Sequence, residues 1–235
     1  MTLHIGIVAC SAEGAALCYR TICQEAASLL GPYAHPEVSL HSHSLARYMA
    51  CIDGNDWPGV AELMLSSASK LYASGADFLI SPDNTIHQAL VHIEQRLPLP
   101  WLHIVDAVAA HAAECGYHQL GLTGTRWLID SAVYQERLEA RGLGWMRPDA
   151  ADRDDMNSII MDELVQGIVR PRSLARFQQV ITRFRDAGCD AVVLGCTEIP
   201  LLIDDSNSPL PTLDSTRLLA RAALQRAITA RSGPR

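Results

Sequence analysis

Gly188-Cys189-Asp190-Ala191-Val192-Val193-Leu194-Gly195-Cys196-Thr197-Glu198 sets a Gly-x-Asp turn before an apolar strand and a polar cluster with a thiol after it. The same order occurs 113 residues earlier (188 − 75), in Gly75-Ala76-Asp77-Phe78-Leu79-Ile80-Ser81-Pro82-Asp83-Asn84-Thr85. Two flanking matches keep step with it. His4-Ile5-Gly6-Ile7-Val8 parallels Gln119-Leu120-Gly121-Leu122-Thr123, and Leu99-Pro100-Trp101-Leu102-His103 parallels Leu210-Pro211-Thr212-Leu213-Asp214. Three matches in one order indicate an internal repeat near half the chain length. In that alignment Asp83 falls on Cys196. If the halves pack as a pseudo-dimer, these side chains are expected to face each other, one on each side of a small molecule.

The pattern outward from these stretches alternates strand and helix. Strands are expected at 3–9, 37–44, 76–81, 100–104, 118–123, 143–146, 190–195 and 210–213. Helices are expected at 13–30, 58–74, 86–96, 107–115, 128–141, 152–168, 172–187 and 215–230, several closed by Gly or Gly-Pro. Such alternation predicts an α/β fold with mainly parallel sheets flanked by helices. Ligands in open α/β sheets bind beyond the carboxyl ends of the strands.

Composition narrows the function class. The chain has 235 residues, 49% of them apolar, and a net charge of −7 with both signs interspersed. No basic face for nucleic acid emerges, and no apolar run reaches membrane-spanning length. The seven cysteines lack Cys-x-x-Cys spacing, which argues against disulfides and structural zinc. With no charged N-terminal leader, the reading is a soluble cytoplasmic protein. The sole lysine, Lys70, lies on a helix well before the site strand, which disfavours a pyridoxal phosphate Schiff base.

Cys196 ends a buried strand at a helix start, where amide dipoles favour a thiolate. Asp83 sits at the equivalent tip, where it is either a helix cap or an acid/base group. Asn84, Thr85 and Thr197 are expected to cradle a substrate carboxylate or a developing enolate. Ser11, Thr123 and Thr125 follow the first strand of each half and offer hydroxyls to the same ligand. Glu198 is placed with these substrate-binding residues. Cys10 is a weak candidate for lining the site. His41 and His43 lack a third ligand and read as surface histidines, not a metal pair. Arg47, Arg126 and Arg170 read as solvated surface charges rather than carboxylate clamps.

These motifs resemble the aspartate/glutamate racemase superfamily. Leu194-Gly195-Cys196-Thr197-Glu198-Ile199 matches its second-cysteine motif, and Pro82-Asp83-Asn84-Thr85-Ile86-His87 resembles its first motif with Asp where Cys belongs. Gly121-Leu122-Thr123-Gly124-Thr125-Arg126 and Asp214-Ser215-Thr216-Arg217-Leu218 match further family segments. The N-terminal loop, Ala9-Cys10-Ser11-Ala12-Glu13, departs from the family's Gly-Gly-Met-x-x-Glu. The resemblance implies two pseudo-symmetric α/β domains, 1–103 plus 212–235 and 104–211, with the site at their interface. It also implies a homodimer, a small carboxylic or amino-acid substrate, and chemistry using neither cofactor nor metal. In such racemases one thiolate removes the α-proton and the opposite thiol returns one.

The Asp at position 83 leaves three readings open. Free Cys and Asp differ by about 4.6 pK units, or about 6 kcal/mol in basicity. In the first reading burial tunes Asp83 as the second acid/base of an asymmetric racemase or epimerase. In the second, Cys196 alone handles protons in a lyase or cis–trans isomerase, as arylmalonate decarboxylase would suggest. In the third, the chain binds small acids without turnover.

Overall fold

A computed structural model describes residues 2–229. Contacts divide the chain into two compact units, Met1–Ile104 with Thr216–Arg235, and Val105–Ser215. The first unit runs β1 (Ile5–Ala9), α1 (Ala12–Leu30), β2 (Val38–Ser42), α2 (Leu45–Asp53), α3 (Trp57–Ala73), β3 (Phe78–Ile80), two 3-10 segments (Thr85–His92 and Glu94–Arg96) and β4 (Trp101–Leu102). Its strands form one parallel sheet in the order β2-β1-β3-β4.

Helix α4 (Ile104–Glu114) leads into the second unit. There follow β5 (Gln119–Thr123), α5 (Arg126–Ile129), α6 (Gln135–Glu139), β6 (Gly144–Met146), α7 (Ala150–Asp162), α8 (Pro171–Asp186), β7 (Ala191–Leu194) and β8 (Thr212–Asp214). These strands form a second parallel sheet, β6-β5-β7-β8, the same order as the first. Helix α9 (Ser215–Thr229) returns the chain to the first unit, where Leu3 N–H donates to the Ala227 carbonyl at 2.9 Å. The expected α/β class with parallel sheets is therefore what the chain adopts. The return comes four residues later than the expected boundary at 212 (216 − 212), because β8 pairs with β7 and completes the second sheet.

Central strands β1, β3 and β7 are buried along their whole length, as continuous apolar runs between helical layers should be. The repeated Gly-x-Asp has a physical cause. Gly75 and Gly188 take φ of +89° and +95°, a left-handed conformation open to glycine, and each ends the preceding helix. Two residues on, the Asp carboxylate turns back to the start of the neighbouring strand. Asp77 accepts from His4 N–H at 2.7 Å. Asp190 accepts from His118 N–H at 2.7 Å and Gln119 N–H at 3.2 Å. The Asp main chains reciprocate: Asp77 N–H donates to the His4 carbonyl at 2.8 Å, and Asp190 N–H to that of Gln119 at 2.9 Å.

Three expected helices differ from the structure, two of them because side chains compete for main-chain carbonyls. The stretch 86–96 is 3-10 rather than α. His87 N–H bonds the Asn84 carbonyl at 3.2 Å while the His87 ring takes the Asp83 carbonyl, which an α-helix would have used. The stretch 128–141 splits into α5 and α6. Ser131 caps the Leu128 carbonyl at 2.7 Å and receives Val133 N–H at 3.3 Å, which ends the first helix. The stretch 152–168 stops as α-helix at Asp162, and Gly167 at φ +72° closes the 3-10 turn Leu164–Gln166 that follows. Helix α2 was not expected at all, and residue 230 of the last expected helix lies outside the described residues.

The paired Asp staples are worth about 1.5–3 kcal/mol each, the ordinary range for a hydrogen bond to a charged group. Asp77→Ala and Asp190→Ala should each lower the urea unfolding midpoint accordingly without changing the slope. An unchanged midpoint in both variants would show that strand pairing alone sets the register.

Candidate active site

The tip of β3 presents Asp83, which is partly exposed. Its Oδ2 accepts from the main-chain N–H of Cys10 at 3.2 Å and of Ser11 at 3.1 Å, both in the loop that follows β1. Two amide donors on one oxygen favour a carboxylate over an acid. Asp83 is therefore not the cap of the next helical segment, whose N-cap is Asn84. Behind it the His87 Nδ1 lies 2.8 Å from the Asp83 carbonyl, and Trp101 Nε1–H donates to His87 Nε2 at 3.3 Å. Indole has only a donor to give, so the imidazole is neutral with its proton on Nδ1. That ring, buried and packed on His103 with centroids 4.3 Å apart, holds the main chain of Asp83 in place. Asn84 is buried and Thr85 partly so at the start of the same turn. Ser11 caps α1, its hydroxyl accepting Gly14 N–H at 3.2 Å.

The tip of β7 presents Cys196 in the second unit. Gly195 permits the close approach that puts it there, since a Cβ at that position would meet the Thr123 carbonyl oxygen at 2.5 Å. Two hydroxyls fasten the strand just before it: Thr123 donates to the Val193 carbonyl at 2.6 Å, and Ser215 to the Leu194 carbonyl at 2.8 Å. Thr123 is fully buried in this tie. Its hydroxyl proton is committed to the sheet, which leaves the oxygen lone pairs to accept. Thr125 is the N-cap of α5 and lies almost buried.

The Cys196 Sγ donates to Glu198 Oε2 at 2.9 Å, and the Thr197 hydroxyl donates to the same oxygen at 2.7 Å. A carboxylate can only accept, so the sulfur carries a proton in this arrangement. Glu198, expected among the substrate-binding residues, instead faces the thiol and is 7% exposed. It is a base within reach of the sulfur proton.

His41 and His43 are not plain surface groups. The first contacts Ser67 Oγ at 2.9 Å and Lys70 Nζ at 3.0 Å, the second Ser66 Oγ at 3.2 Å and Arg47 Nη1 at 3.2 Å. Arg126 lies over the Trp127 ring at 4.7 Å, and Arg170 lies 3.8 Å from Glu163, so both have protein partners. No group of three or more His, Cys, Asp or Glu among the described residues could hold a metal ion. All seven cysteines are free thiols. No described helix is long and apolar enough to cross a membrane.

Residues 5–223 match the Asp/Glu/Hydantoin racemase family. The chain belongs to that family. It is 26% identical over 172 residues to the broad specificity amino-acid racemase RacX of Bacillus subtilis, covering 72% of this chain and 73% of that one. A glutamate racemase of Beutenbergia cavernae is 30% identical over 148 residues, covering 61% of this chain and 49% of its own length. Among solved structures, a Yersinia pestis protein provisionally named an Asp/Glu racemase superposes with a TM-score of 0.89 at 32% identity. That match covers 96% of this chain and 99% of the other. An aspartate racemase homologue from Pyrococcus horikoshii shares the fold, with a TM-score of 0.83 at 24% identity over 97% of this chain and 99% of its own.

The thiol–carboxylate contact of this racemase-family chain makes a direct prediction. Glu198→Gln removes the negative charge facing the sulfur, so thiolate forms more readily. Alkylation of Cys196 by iodoacetamide at pH 7 should accelerate about tenfold, the equivalent of one pK unit. The exposed Cys115 is the internal reference. Equal or slower alkylation would mean that Glu198 does not govern the sulfur proton.

Proposed function

We propose that this chain is a cofactor-independent racemase or epimerase of an aspartate- or glutamate-like amino acid, with Asp83 and Cys196 acting on opposite faces of the α-carbon. The observation that carries the reading is the hydrogen bonding at the two tips. Asp83 is held as a carboxylate by the Cys10 and Ser11 amides. Cys196 holds its proton, directed at Glu198. One group is a base and the other an acid before substrate arrives.

In this cycle Asp83 takes the α-proton and the Cys196 thiol delivers one to the other face. In the reverse direction Glu198 receives the thiol proton, the Cys196 thiolate abstracts, and protonated Asp83 donates. Asn84, Thr85 and Thr197, at the two tips, hold the α-carboxylate and the developing enolate. Ser11 and Thr125 border the same loops. Abstraction by a carboxylate is weak in water, and a closed, desolvated site raises its basicity. A homodimer and a cytoplasmic location belong to the same proposal.

The test is α-proton exchange in deuterium oxide followed by NMR across a panel of amino acids. Both enantiomers of the substrate should lose their α-proton and interconvert. Cys196→Ala and Asp83→Asn should each cost about 10²–10⁴-fold, the range for removing an acid or base. Asp83→Asn keeps an oxygen for the two amides, so its loss reports chemistry rather than folding. Full inversion in Asp83→Asn would instead favour a mechanism in which Cys196 alone moves protons, as in a lyase.

A further inference from the structure

The end of β2 and the start of α2 gather basic side chains against α3. The His41 and His43 rings meet edge to face there, with centroids 4.8 Å apart. Each ring is bonded at both nitrogens. Lys70 Nζ lies 3.0 Å from His41 Nε2, and His41 Nδ1 lies 2.9 Å from Ser67 Oγ. Arg47 Nη1 lies 3.2 Å from His43 Nδ1, and His43 Nε2 lies 3.2 Å from Ser66 Oγ. Ammonium and guanidinium groups have donors and no acceptor, so each ring is neutral and accepts from its cation. Each ring then donates its own proton to its serine. Two parallel lines result, each running from cation to imidazole to serine.

Among the described residues this cluster has no counter-charge. The chain carries a net charge of −7, and elsewhere its arginines commonly meet carboxylates, as Arg96 meets Glu62, Arg153 meets Asp130 and Arg221 meets Glu25. Arg47 and Lys70 are exposed, and their described partners are the two imidazoles. Helix α2 opens at the same place with Ser44 as its N-cap. The Ser44 side chain makes no cap bond, and the first turn of α2 holds no acid. The start of a helix carries positive partial charge, so it adds to the same field.

We propose that Lys70, Arg47, His41 and His43 form a binding site for a phosphate group, as free phosphate or on a small phosphate monoester. The site does not depend on the racemase reading. Ammonium and guanidinium groups are both phosphate donors, the second able to bond two oxygens at once. A doubly charged oxyanion draws the Lys70 and Arg47 donors from the rings. His41 Nε2 and His43 Nδ1 then take protons from solvent and donate to the anion in turn. Ser67 and Ser66 keep the opposite ring nitrogens and hold both rings in place.

The electrostatics of the rings agree. Burial, and after it the Lys70 charge, hold His41 below the usual imidazole range. Burial, and after it His41, Lys70 and Arg47, do the same to His43. The groups acting on the rings are thus cations and imidazoles, with no carboxylate among them. An anion reverses that field. The rings gain protons on binding, so binding strengthens as pH falls through the imidazole range.

Histidine side-chain NMR of the full chain, titrated at constant ionic strength with inorganic phosphate, glycerol 3-phosphate and sulfate, tests the site. His41→Gln and His43→Gln assign the two signals. Both should shift saturably toward imidazolium with inorganic phosphate or the monoester, the tighter of the two naming the source. Sulfate keeps its charge across this range and should bind on the order of tenfold more tightly at pH 6 than at pH 8, the equivalent of one pK unit. Lys70→Ala combined with Arg47→Ala should weaken binding about tenfold or more, while the other histidine signals keep their positions. Shifts no different from those with chloride, pH-independent sulfate binding, or undiminished binding in the double variant would overturn the site. Aspartate moving the same two signals as strongly as phosphate would also overturn it, by making the cluster part of an amino-acid site.

Discussion

Each unit depends on a carboxylate that fastens the start of its third strand to the start of its first. Asp77 and Asp190 do this with side-chain and main-chain bonds together, at the same place in two sheets of the same strand order. With that end fixed, the register along the pair is fixed too: Ile5 opposes Phe78, and Leu120 opposes Ala191. The far ends of β3 and β7 then fall where the loops after β1 and β5 can reach them. Asp83 meets two amides of the first loop, and the Gly195 approach to Thr123 aims Cys196 from the second. The placement of the two candidate groups is thus a consequence of register, and register is a consequence of a short polar staple.

The two tips differ in chemistry as much as they agree in placement. One is a carboxylate solvated by main-chain donors. The other is a thiol whose proton is shared with a neighbouring acid. A pair of thiols would have nearly matched basicity, whereas Asp and Cys start about 6 kcal/mol apart. In the proposed mechanism that gap orders the resting state, with the proton on sulfur and the charge on oxygen. Supporting hydrogen bonds follow the same order: amides surround the anion, and a carboxylate receives the thiol proton. His87, oriented by Trp101, on one side, and Thr123 and Ser215 on the other, hold main-chain carbonyls.

Much of this was legible in the sequence because it is written in period and punctuation. The eight strands sit where short apolar runs do, and Gly-x-Asp marked both staples. What escaped was side-chain competition for main-chain groups. Nothing in the pattern of residues 86–96 says that the His87 ring takes the carbonyl an α-helix needs, and Ser131 hides the break between α5 and α6 in the same way. Thr123 reads as a hydroxyl at a strand end, and nothing in the sequence says that it is fully buried and ties β5 to β7. Glu198 was recognised as near the site but not as the partner of the thiol, since local spacing does not reveal which oxygen a sulfur faces.

The most direct test of the account is a crystal structure of the protein with its amino-acid substrate bound, using Cys196→Ser to slow turnover. The account predicts the α-carbon between a carboxylate oxygen of Asp83 and the side chain of residue 196, each at near-attack distance of about 3–3.5 Å and on opposite faces. A bound substrate whose α-carbon is reached by only one of them, or by both from the same face, would contradict it.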